Sequence, residues 1–456
     1  MLISKYEKQI FMSNIARCII LNRKLYSSLL DWKNKKNRKP LILKGARQSG
    51  KTWLLKEFGK NEYENTAYIN CHHNPQAEEI FRSDFNMERI IRSISALTDK
   101  DIYPEKTLII LDEIQEIPNA IASLKYFCED AGEYHVAVAG SLLGLAIHSG
   151  VSFPVGKVNH LTLYPLDFEE YLEAKSGIQT IDFLKKEKLE DLQHLHEKLI
   201  EHLREYYFTG GMPEVVSSFL SGAQLREVRE VQNQILSDYA DDMSKHADDK
   251  IITRIHQVWN SIPQQLAKDN YKFLFGDIKK GARAGDFELA IQWLVDAGII
   301  YKIPRVNKVA VPLKFYEDFS GFKLYPLDCG LMGAMVDAPA SEILIGNNIF
   351  TEYKGAFTEQ FVLQQLLSNG IESIYYYYAN NSRQELDYVF QLDNKIVPVE
   401  VKAEDNLKSK SLKQFITDNP DYRGIRISMS GYRVQDWMTN LPLYAVSRIR
   451  DAVTDI

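Results

Sequence analysis

The feature that most constrains the fold of this chain is the octapeptide GARQSGKT at residues 45–52. It satisfies the pattern G-x-x-x-x-G-K-[ST], follows the apolar run LILK and leads into a helical segment, TWLLKEFG. In this strand–loop–helix context the glycines let successive backbone N–H groups and the helix amino terminus face phosphate oxygens. The octapeptide therefore predicts a nucleotide phosphate site on an α/β domain. The alternative is a chance glycine-rich loop with a helix cap.

The residues around the octapeptide predict a parallel sheet. Short apolar runs alternate with helical segments, and they lie at 41–45, 66–70, 107–113 and 135–141. Continuous apolar strands separated by helices are typical of a parallel sheet that is covered on both faces. The fold class predicted for the chain is therefore α/β.

The polar positions of the octapeptide each have an expected role. Lys51 is expected to neutralise the β- and γ-phosphates, and the hydroxyl of Thr52 is expected to bind Mg²⁺. The loop backbone is expected to wrap around the phosphates at Gly45, Gln48, Ser49 and Gly50.

A second set of candidates lies at the end of the strand TLIILDE, residues 107–113. Its apolar residues carry the chain through the sheet and deliver Asp112 and Glu113 to the carboxyl end, where ligands bind in open α/β folds. Asp112 is predicted to be the magnesium partner, and Glu113 to polarise the attacking water as a general base. Ser141, after the next apolar strand, is predicted to sense the γ-phosphate, and a simple turn residue is the alternative.

The composition excludes several classes of protein. The chain has 456 residues, which at about 100–200 residues per domain predicts two to four domains. A formal net charge of -6 excludes a globally basic nucleic-acid coat but leaves room for a local basic groove. Four dispersed cysteines argue against a disulfide scaffold or a zinc site. The sequence contains no bilayer-spanning apolar run and no signal peptide, so we expect a soluble cytoplasmic protein without a membrane partner.

Taken together, these motifs resemble those of a group of prokaryotic AAA+ ATPases. The octapeptide, LDEIQ, AGS after the next strand, YPLDFEEYL (164–172) and GGMPE (210–214) occur in the order that this family shows. The resemblance spans nearly the whole chain, and the C-terminal part of these proteins is known only as a domain of unknown function. One departure is Gly156-Lys157, where the family usually has Gly-Arg, so Lys157 keeps the charge and loses bidentate geometry. An arginine finger cannot be placed from the sequence.

The resemblance implies an ATPase core, a helical lid and a winged helix. The sequence agrees, because strands give way to long charged helices after residue 166 and a compact helix precedes the strand IIYKI. The predicted domains are a P-loop ATPase domain with an N-terminal helical extension (1–166), a helical lid (167–269), a winged helix (270–305) and a C-terminal α/β domain (306–456).

The C-terminal segment carries a second pattern of charged residues. In VPVEVKA, Glu400 and Lys402 share one face of a predicted strand (395–403). A preceding predicted strand, ELDYVF (385–390), carries Asp387, and Glu359 lies on an amphipathic helix upstream. Burying several carboxylates together without a cation is costly. The alternative is that Glu400 and Lys402 simply face solvent on a half-buried strand.

This pattern resembles the restriction-endonuclease-like, or PD-(D/E)xK, fold. The resemblance implies that Asp387 and Glu400 hold Mg²⁺, that Lys402 orients or activates water as a catalytic residue, and that Glu359 completes the metal shell. Magnesium held by hard oxygen ligands can polarise a phosphodiester. A fold alone does not establish cleavage, so an inactive recognition module is the alternative.

Several other signals have simpler explanations. The run KNKKNRK (33–39) fits a solvated linker, and the pair His72-His73 lacks a third metal ligand at a recognisable spacing. The tyrosines of IYYYYA (374–379) are explained by strand propensity. In the predicted winged helix, Lys279, Lys280 and Arg283 are compatible with contact to duplex DNA.

Two functional hypotheses follow. The first is a switch that binds and hydrolyses ATP with Mg²⁺ and controls a magnesium-dependent nuclease. The second is a regulatory ATPase whose C-terminal domain recognises nucleic acid or protein without cleaving it. Nucleic acid, with DNA favoured, and a protein are the candidate partners, and the oligomeric state stays open.

Overall fold

The computed structural model describes residues 21–141, 144, 153–268, 271–345, 351–379, 384–403 and 409–454. The described strands are β1 (Leu41–Lys44), β2 (Asn65–Asn70), β3 (Thr107–Asp112), β4 (His135–Ala139), β5 (Asn159–Thr162), β6 (Ile300–Val306), β7 (Glu317–Pro326), β8 (Ile374–Tyr378), β9 (Glu385–Leu392), β10 (Lys395–Lys402), β11 (Gly424–Ser428), β12 (Arg433–Val434) and β13 (Met438–Pro442).

The described α-helices lie between and around these strands. They are α1 (Leu25–Asn34), α2 (Lys51–Glu62), α3 (Pro75–Arg82), α4 (Met87–Thr98), α5 (Pro118–Asp130), α6 (Phe168–Ser176), α7 (Ile178–Lys186), α8 (His196–Thr209), α9 (Pro213–Leu220), α10 (Leu225–His246), α11 (Asp249–Ala267), α12 (Phe275–Ile278), α13 (Ala284–Asp296), α14 (Cys329–Met335), α15 (Ala340–Ile345), α16 (Thr351–Ser368), α17 (Lys410–Asp418) and α18 (Ile449–Thr454).

The N-terminal sheet has five parallel strands in the order β2-β3-β4-β1-β5. Strands β3 and β4 are buried along their whole length, because helices cover both faces of the sheet. The predicted parallel sheet is therefore confirmed. The ends of β1, β3 and β4 lie together at the carboxyl edge of this sheet, and the candidate residues of the nucleotide site follow these strands.

The turn after β1 needs a glycine. Gly45 has φ +150°, and a Cβ atom placed on it would lie 2.4 Å from the carbonyl oxygen of Leu163. No side chain fits in that space, so the loop can pass close to the strand end only with glycine at this position. The helix α2 then begins directly at Lys51.

The helical region after β5 packs around a second close approach. Leu166 N donates to the carbonyl oxygen of Gly211 at 2.7 Å, and a Cβ atom on Gly211 would lie 2.0 Å from the carbonyl oxygen of Leu166. Gly211 N in turn donates to the buried Asp328 Oδ2 at 2.7 Å. The GGMPE turn thereby ties the end of α8 both to the segment after β5 and to the segment before α14.

The C-terminal sheet has eight strands in the order β12-β13-β11-β10-β9-β8-β6-β7. Strands β8, β9 and β10 lie at the positions predicted from their sequences. The strand IIYKI becomes part of β6, which pairs with β7 antiparallel and with β8 in parallel. The strand expected in the winged helix is therefore continuous with the C-terminal sheet, and the domain boundaries at 269 and 305 stay predictions.

One apolar core joins the helical region to the C-terminal sheet. It runs from Ala46 in the loop at 45–52 through α6, α8, α10 and α11 to α16 and the strands β9, β10 and β11. Separate clusters lie on each face of the N-terminal sheet. Within the described ranges, no helix is long and apolar enough to cross a bilayer.

Candidate functional site

The candidate nucleotide site brings together residues from three strand ends. The hydroxyl of Thr52, at the start of α2, donates to Asp112 Oδ2 at 2.7 Å. The same carboxylate oxygen accepts a hydrogen bond from the Tyr68 hydroxyl at 3.0 Å. A hydroxyl and a carboxylate thus meet in the arrangement that a nucleotide-bound magnesium ion needs. Tyr68 was not among the sequence candidates, because its place in β2 shows only strand propensity.

Lys51 lies folded back over the loop at 45–52. Its Nζ atom donates to the carbonyl oxygens of Gly45 at 3.0 Å and Ala46 at 2.7 Å, and Ser141 Oγ lies 3.4 Å away. Burial lowers the pKa of Lys51 to about 8, although Glu113 and Asp112 favour its charged form. A cation held over backbone carbonyls in this way can turn to the phosphates of a ligand.

Glu113 faces Ser141. Its carboxylate oxygens lie 3.3 Å from Ser141 N and 3.2 Å from Ser141 Oγ, and both of these groups donate to it. Gln115 Nε2 donates to Glu113 Oε2 at 2.6 Å. Glu113 itself adopts a left-handed backbone conformation, with φ 49°, directly after β3. The two neighbouring carboxylates therefore face different partners, as different roles would require.

The other loop residues make structural contacts. The backbone oxygen of Ser49 accepts a hydrogen bond from Arg23 Nη1 at 2.9 Å, and Arg23 Nε lies 3.3 Å from Glu170 Oε2. Gly50 has φ +95° at the start of α2. Gln48 donates its side-chain amide to Asp238 on α10 at 2.6 Å. Arg23 and Asp238 escaped the sequence analysis because they lie far from the loop along the chain.

Lys157 lies away from this site. It precedes β5, at the amino edge of the sheet, and its Nζ atom forms an ion pair with Glu129 Oε1 at 2.8 Å. The phosphate loop lies at the carboxyl edge. Lys157 therefore contacts α5 at the amino edge and does not contact the loop at 45–52 of its own chain.

Few side chains of the candidate nucleotide site could bind a metal ion. Among the described residues, no group of three or more His, Cys, Asp or Glu side chains is placed to hold a metal ion. A magnesium ion that arrives with a nucleotide needs fewer protein ligands, because phosphates and waters fill most of its six positions. Thr52 and Asp112 fit that requirement.

A second cluster of charged side chains lies within the C-terminal sheet. Asp387 on β9 accepts a hydrogen bond from Val401 N at 2.7 Å, and Lys402 Nζ lies 3.1 Å from Glu400 Oε1. Glu359 on α16 accepts a hydrogen bond from the Tyr325 hydroxyl at 2.8 Å. Burial, reinforced by Glu359, holds the pKa of Asp387 well above its usual range.

Lys323 on β7 is a member of this cluster that the sequence analysis missed. Its Nζ atom lies 3.7 Å from Glu359 Oε2 and 3.5 Å from Glu385 Oε1. Burial opposes the charge on Lys323, but Glu359 and Glu385 outweigh burial and raise its pKa. Glu385 could have been found, because it lies two residues before Asp387 on the same face of β9. The strand carrying Lys323 gives no comparable signal.

The three carboxylates that were expected to share a metal ion are engaged separately. Glu359 contacts Tyr325 and Lys323, and Asp387 contacts the backbone of β10. Glu400 is buried, and its Oε2 atom accepts no hydrogen bond from any described residue. Burial opposes the charge on Lys402, but Asp387 and Glu400 outweigh burial and raise its pKa, so Lys402 stays charged.

The remaining candidates occupy ordinary positions. Tyr375 and Tyr376 are buried in β8, which excludes them from stacking on a ligand. His72 packs against His73 with ring centroids 4.1 Å apart, and its Nδ1 atom lies 3.7 Å from Glu116. Lys279, Lys280 and Arg283 lie between α12 and the start of α13, so contact with DNA stays a prediction.

Three protein-family models match successive parts of the chain. An AAA domain matches residues 37–172, a domain of unknown function (DUF8612) matches 200–342, and a second domain of unknown function (DUF4143) matches 354–449. No curated protein matches the chain significantly. The second match runs across both predicted boundaries of the winged helix. Lys323 lies in the second match, whereas its ion-pair partners lie in the third.

Solved structures also resemble the chain. One is a Walker-type ATPase of Pyrococcus abyssi, which is 15% identical, has a TM-score of 0.44, and is matched over 70% of this chain and 97% of that chain. Another is the ORC1 protein of Aeropyrum pernix in complex with DNA, which is 14% identical, has a TM-score of 0.27, and is matched over 70% of this chain and 92% of that chain.

The family match assigns the N-terminal part of the chain. Residues 37–172 match an AAA domain and contain a parallel sheet that resembles that of a P-loop ATPase, as the motifs predicted. The matches to the rest of the chain name neither a winged helix nor a nuclease, so these two assignments stay predictions.

Proposed function

We propose that the protein binds and hydrolyses ATP at the carboxyl edge of its N-terminal sheet and acts as a nucleotide-driven switch in the cytoplasm. The observation that carries the proposal is the hydrogen bond between Thr52 and Asp112, with Lys51 and the Glu113–Ser141 pair beside it. Five polar residues from three separate segments of the chain converge at a loop built to wrap around phosphates.

The proposed roles follow from these contacts. Backbone N–H groups of residues 45–50 bind the phosphate oxygens, and Lys51 turns from the loop carbonyls to the β- and γ-phosphates. Thr52 and Asp112 would hold Mg²⁺, which neutralises charge on the phosphates when bound. Glu113 orients the attacking water and accepts its proton, and Ser141 holds the Glu113 carboxylate in place.

Hydrolysis by the full-length chain tests this proposal. Wild-type protein with magnesium and ATP should release phosphate, and Thr52→Ala or Asp112→Asn should reduce the rate at least about tenfold because each removes a partner of the metal. Thr66→Ala, which alters a hydroxyl elsewhere on β2, is the matched control and should keep the rate. Unchanged hydrolysis in Asp112→Asn would refute the site. Equal competition by GTP would refute the proposed preference for adenine as the nucleobase.

A second candidate function concerns the C-terminal cluster. We infer that Asp387 and Glu400 form a magnesium-dependent phosphodiesterase centre controlled by the ATPase, with DNA as the favoured substrate. The observation that favours it is Glu400 Oε2, a buried carboxylate oxygen without a hydrogen-bond partner among the described residues. Mg²⁺ is commonly bound by one or two carboxylates plus substrate phosphates, so two ligands suffice. Lys402, charged and 3.1 Å from Glu400, would orient water.

Cleavage assays separate this centre from an inactive recognition module. Full-length protein is incubated with labelled single- and double-stranded DNA and RNA, with magnesium or manganese, and with or without ATP. Cleavage that is lost in Glu400→Gln and kept in the exposed-site control Glu372→Gln supports the centre. Absence of cleavage in every condition, with ATP hydrolysis intact, rejects the centre and favours the recognition module.

A further inference from the structure

Two acidic residues on α10 hold the outer side of the phosphate loop. Arg47 Nη1 donates to Asp242 Oδ1, and Gln48 Nε2 donates to Asp238 Oδ2 at 2.6 Å. Between these two residues, the hydroxyl of Tyr239 donates to the backbone oxygen of Arg47 at 3.0 Å. Asp238 and Asp242 lie four residues apart and therefore on one face of the helix. We call Asp238 and Asp242 the acidic latch.

The contact between Arg47 and Asp242 differs from a surface ion pair because Asp242 is buried. Asp242 is 5% exposed and Tyr239 is 1% exposed, whereas the Arg47 side chain is about half exposed. A buried carboxylate needs its partner more than an exposed guanidinium does, since an unpaired buried charge is costly. The hydrogen bond to Asp242 raises the pKa of Arg47 above its usual value. The latch therefore fixes the position of α10 against the loop.

The Arg47 guanidinium is also close enough to the phosphate site to interact with its charges. Glu113 favours the charged form of Arg47, and the charge of Arg47 lowers the pKa of Lys51. A nucleoside triphosphate at the loop would bring up to four negative charges beside this guanidinium. The carboxylate of Asp242 and the phosphate oxygens are then competing acceptors for the same planar set of donors.

We propose that Arg47 is a phosphate-sensing residue that exchanges Asp242 for the terminal phosphate of bound ATP, and that this exchange breaks one of the three contacts between α10 and the loop and so weakens the attachment of the helix. The inference rests on the proposed binding of ATP at the loop and adds to it a route by which the γ-phosphate controls the helical region. Asp242 competes with the nucleotide for the Arg47 guanidinium, and Arg47 binds the terminal phosphate.

The competition gives the two partners opposite effects, which distinguishes it from a purely structural ion pair. Removing the charge of Asp242 frees Arg47 for the phosphate, so Asp242→Asn should bind ATP about five- to tenfold more tightly. Arg47→Met removes the guanidinium that binds the terminal phosphate, so this variant should bind ATP about tenfold more weakly. If the pair only stabilised the fold, substitution of Arg47 and substitution of Asp242 would change ATP affinity in the same direction.

The experiment is calorimetric titration of full-length protein with magnesium and a non-hydrolysable ATP analogue. Asp242→Asn, Arg47→Met and their double variant are compared with Asp241→Asn, an exposed neighbour on α10 that serves as the matched control. The double variant should behave as Arg47→Met does. Arg47→Lys keeps the charge and loses the planar fork, so it should lie between wild type and Arg47→Met. Affinity for ADP, which lacks the terminal phosphate, should change less in every variant.

Each outcome decides the proposal. Weaker or unchanged analogue binding by Asp242→Asn, with Asp241→Asn at the wild-type value, overturns it. Equal changes for ADP and the analogue overturn the role of the terminal phosphate. The rate of amide hydrogen exchange in α10 should rise when the analogue binds to wild type. An unchanged exchange rate overturns the proposed weakening of the contact between α10 and the loop. If wild type binds no nucleotide at all, the proposed function fails first, and that result is distinct from these.

Discussion

At the residue scale, the nucleotide site depends on two neighbouring carboxylates with separate partners. Asp112 accepts hydrogen bonds from Thr52 and Tyr68, whereas Glu113 turns to Ser141 and Gln115. The left-handed backbone at Glu113 makes this divergence possible, because it redirects the chain immediately after β3. Binding of the metal and activation of water can therefore be changed independently.

Substitution of Glu113 should separate binding from hydrolysis. Glu113→Gln removes the proton acceptor and keeps the size of the side chain, and its one remaining oxygen can still accept hydrogen bonds. We expect the rate of ATP hydrolysis to fall by about 100-fold or more, while ATP affinity stays within about twofold of wild type. Steady-state phosphate release and calorimetry measure the two quantities. A rate that stays near the wild-type value would show that Glu113 is not the base.

The pKa of Lys51 predicts a pH dependence of ATP binding. In the free protein burial lowers this pKa to about 8, and bound phosphates would raise it again. Above pH 8 the free protein therefore loses the Lys51 charge, so ATP affinity should fall as pH rises and binding should take up a proton. Calorimetry in buffers of different ionisation enthalpy measures this uptake.

A matched variant identifies the titrating group. Lys51→Arg keeps a charge that does not titrate in this range, so its binding should take up no proton above pH 8. Equal proton uptake by wild type and Lys51→Arg would assign the pH dependence to another residue.

At the element scale, the GGMPE turn requires two backbones to approach closely. A side chain on Gly211 would meet the carbonyl oxygen of Leu166 at 2.0 Å, so Gly211→Ala must displace either the turn or the segment after β5. We expect a loss of about 2–4 kcal/mol in the free energy of unfolding, measured by denaturant titration.

Another glycine in a helix provides the control for this prediction. Gly285 lies in α13, and nothing lies within 4 Å of the Cβ atom that alanine would add there. Gly285→Ala should therefore leave stability unchanged or raise it by up to about 1 kcal/mol. Equal stability of the two alanine variants would contradict the account of the turn.

Some elements of the fold could be predicted from the sequence, and others could not. Strands β1, β3, β4, β9 and β10 and the loop at 45–52 were predictable, because an apolar run or a local motif defines each of them. The proximity of Thr52 and Asp112 followed from that local pattern, whereas the contacts of Lys51 with the loop carbonyls did not. The wing could not be assigned, since local pattern does not show that β6 also pairs with β8.

Contacts across long separations could not be predicted either. The bond between Gln48 and Asp238 joins residues 190 positions apart, and that between Arg47 and Asp242 joins residues 195 positions apart. Acidic residues are common on exposed helices, so nothing in α10 singles out this pair. Lys323 was missed for the same reason, because its partners come from a helix and a strand further along the chain.

At the scale of the whole molecule, α16 contacts both the start of α6 and the C-terminal cluster. Its Gln365 side chain accepts a hydrogen bond from Phe168 N on the ATPase side, and Glu359 on the same helix reaches the C-terminal cluster. Beyond the helix end, Asn369 accepts a hydrogen bond from Lys24 Nζ at 3.1 Å. The helical region and the C-terminal sheet also share one apolar core. Movement of the helical region would therefore act directly on α16.

The shared core predicts that the C-terminal part is required for folding. A chain ending at residue 268 would expose the faces of α8, α10 and α11 that pack in this core. We expect that chain to aggregate, whereas full-length protein stays monodisperse in size-exclusion chromatography. A truncated chain that is monodisperse and binds ATP with wild-type affinity would show that the two parts are independent.

The central claim is that the loop at 45–52 binds ATP, and a titration of full-length protein with magnesium and ATP tests it most directly. We predict saturable binding of one ATP per chain that Lys51→Ala weakens at least about 100-fold, because the cation that faces the phosphates is lost. The control, Lys60→Ala, removes an exposed lysine from the last turn of the same helix and should bind as wild type does. Equal binding by wild type and Lys51→Ala would contradict the account.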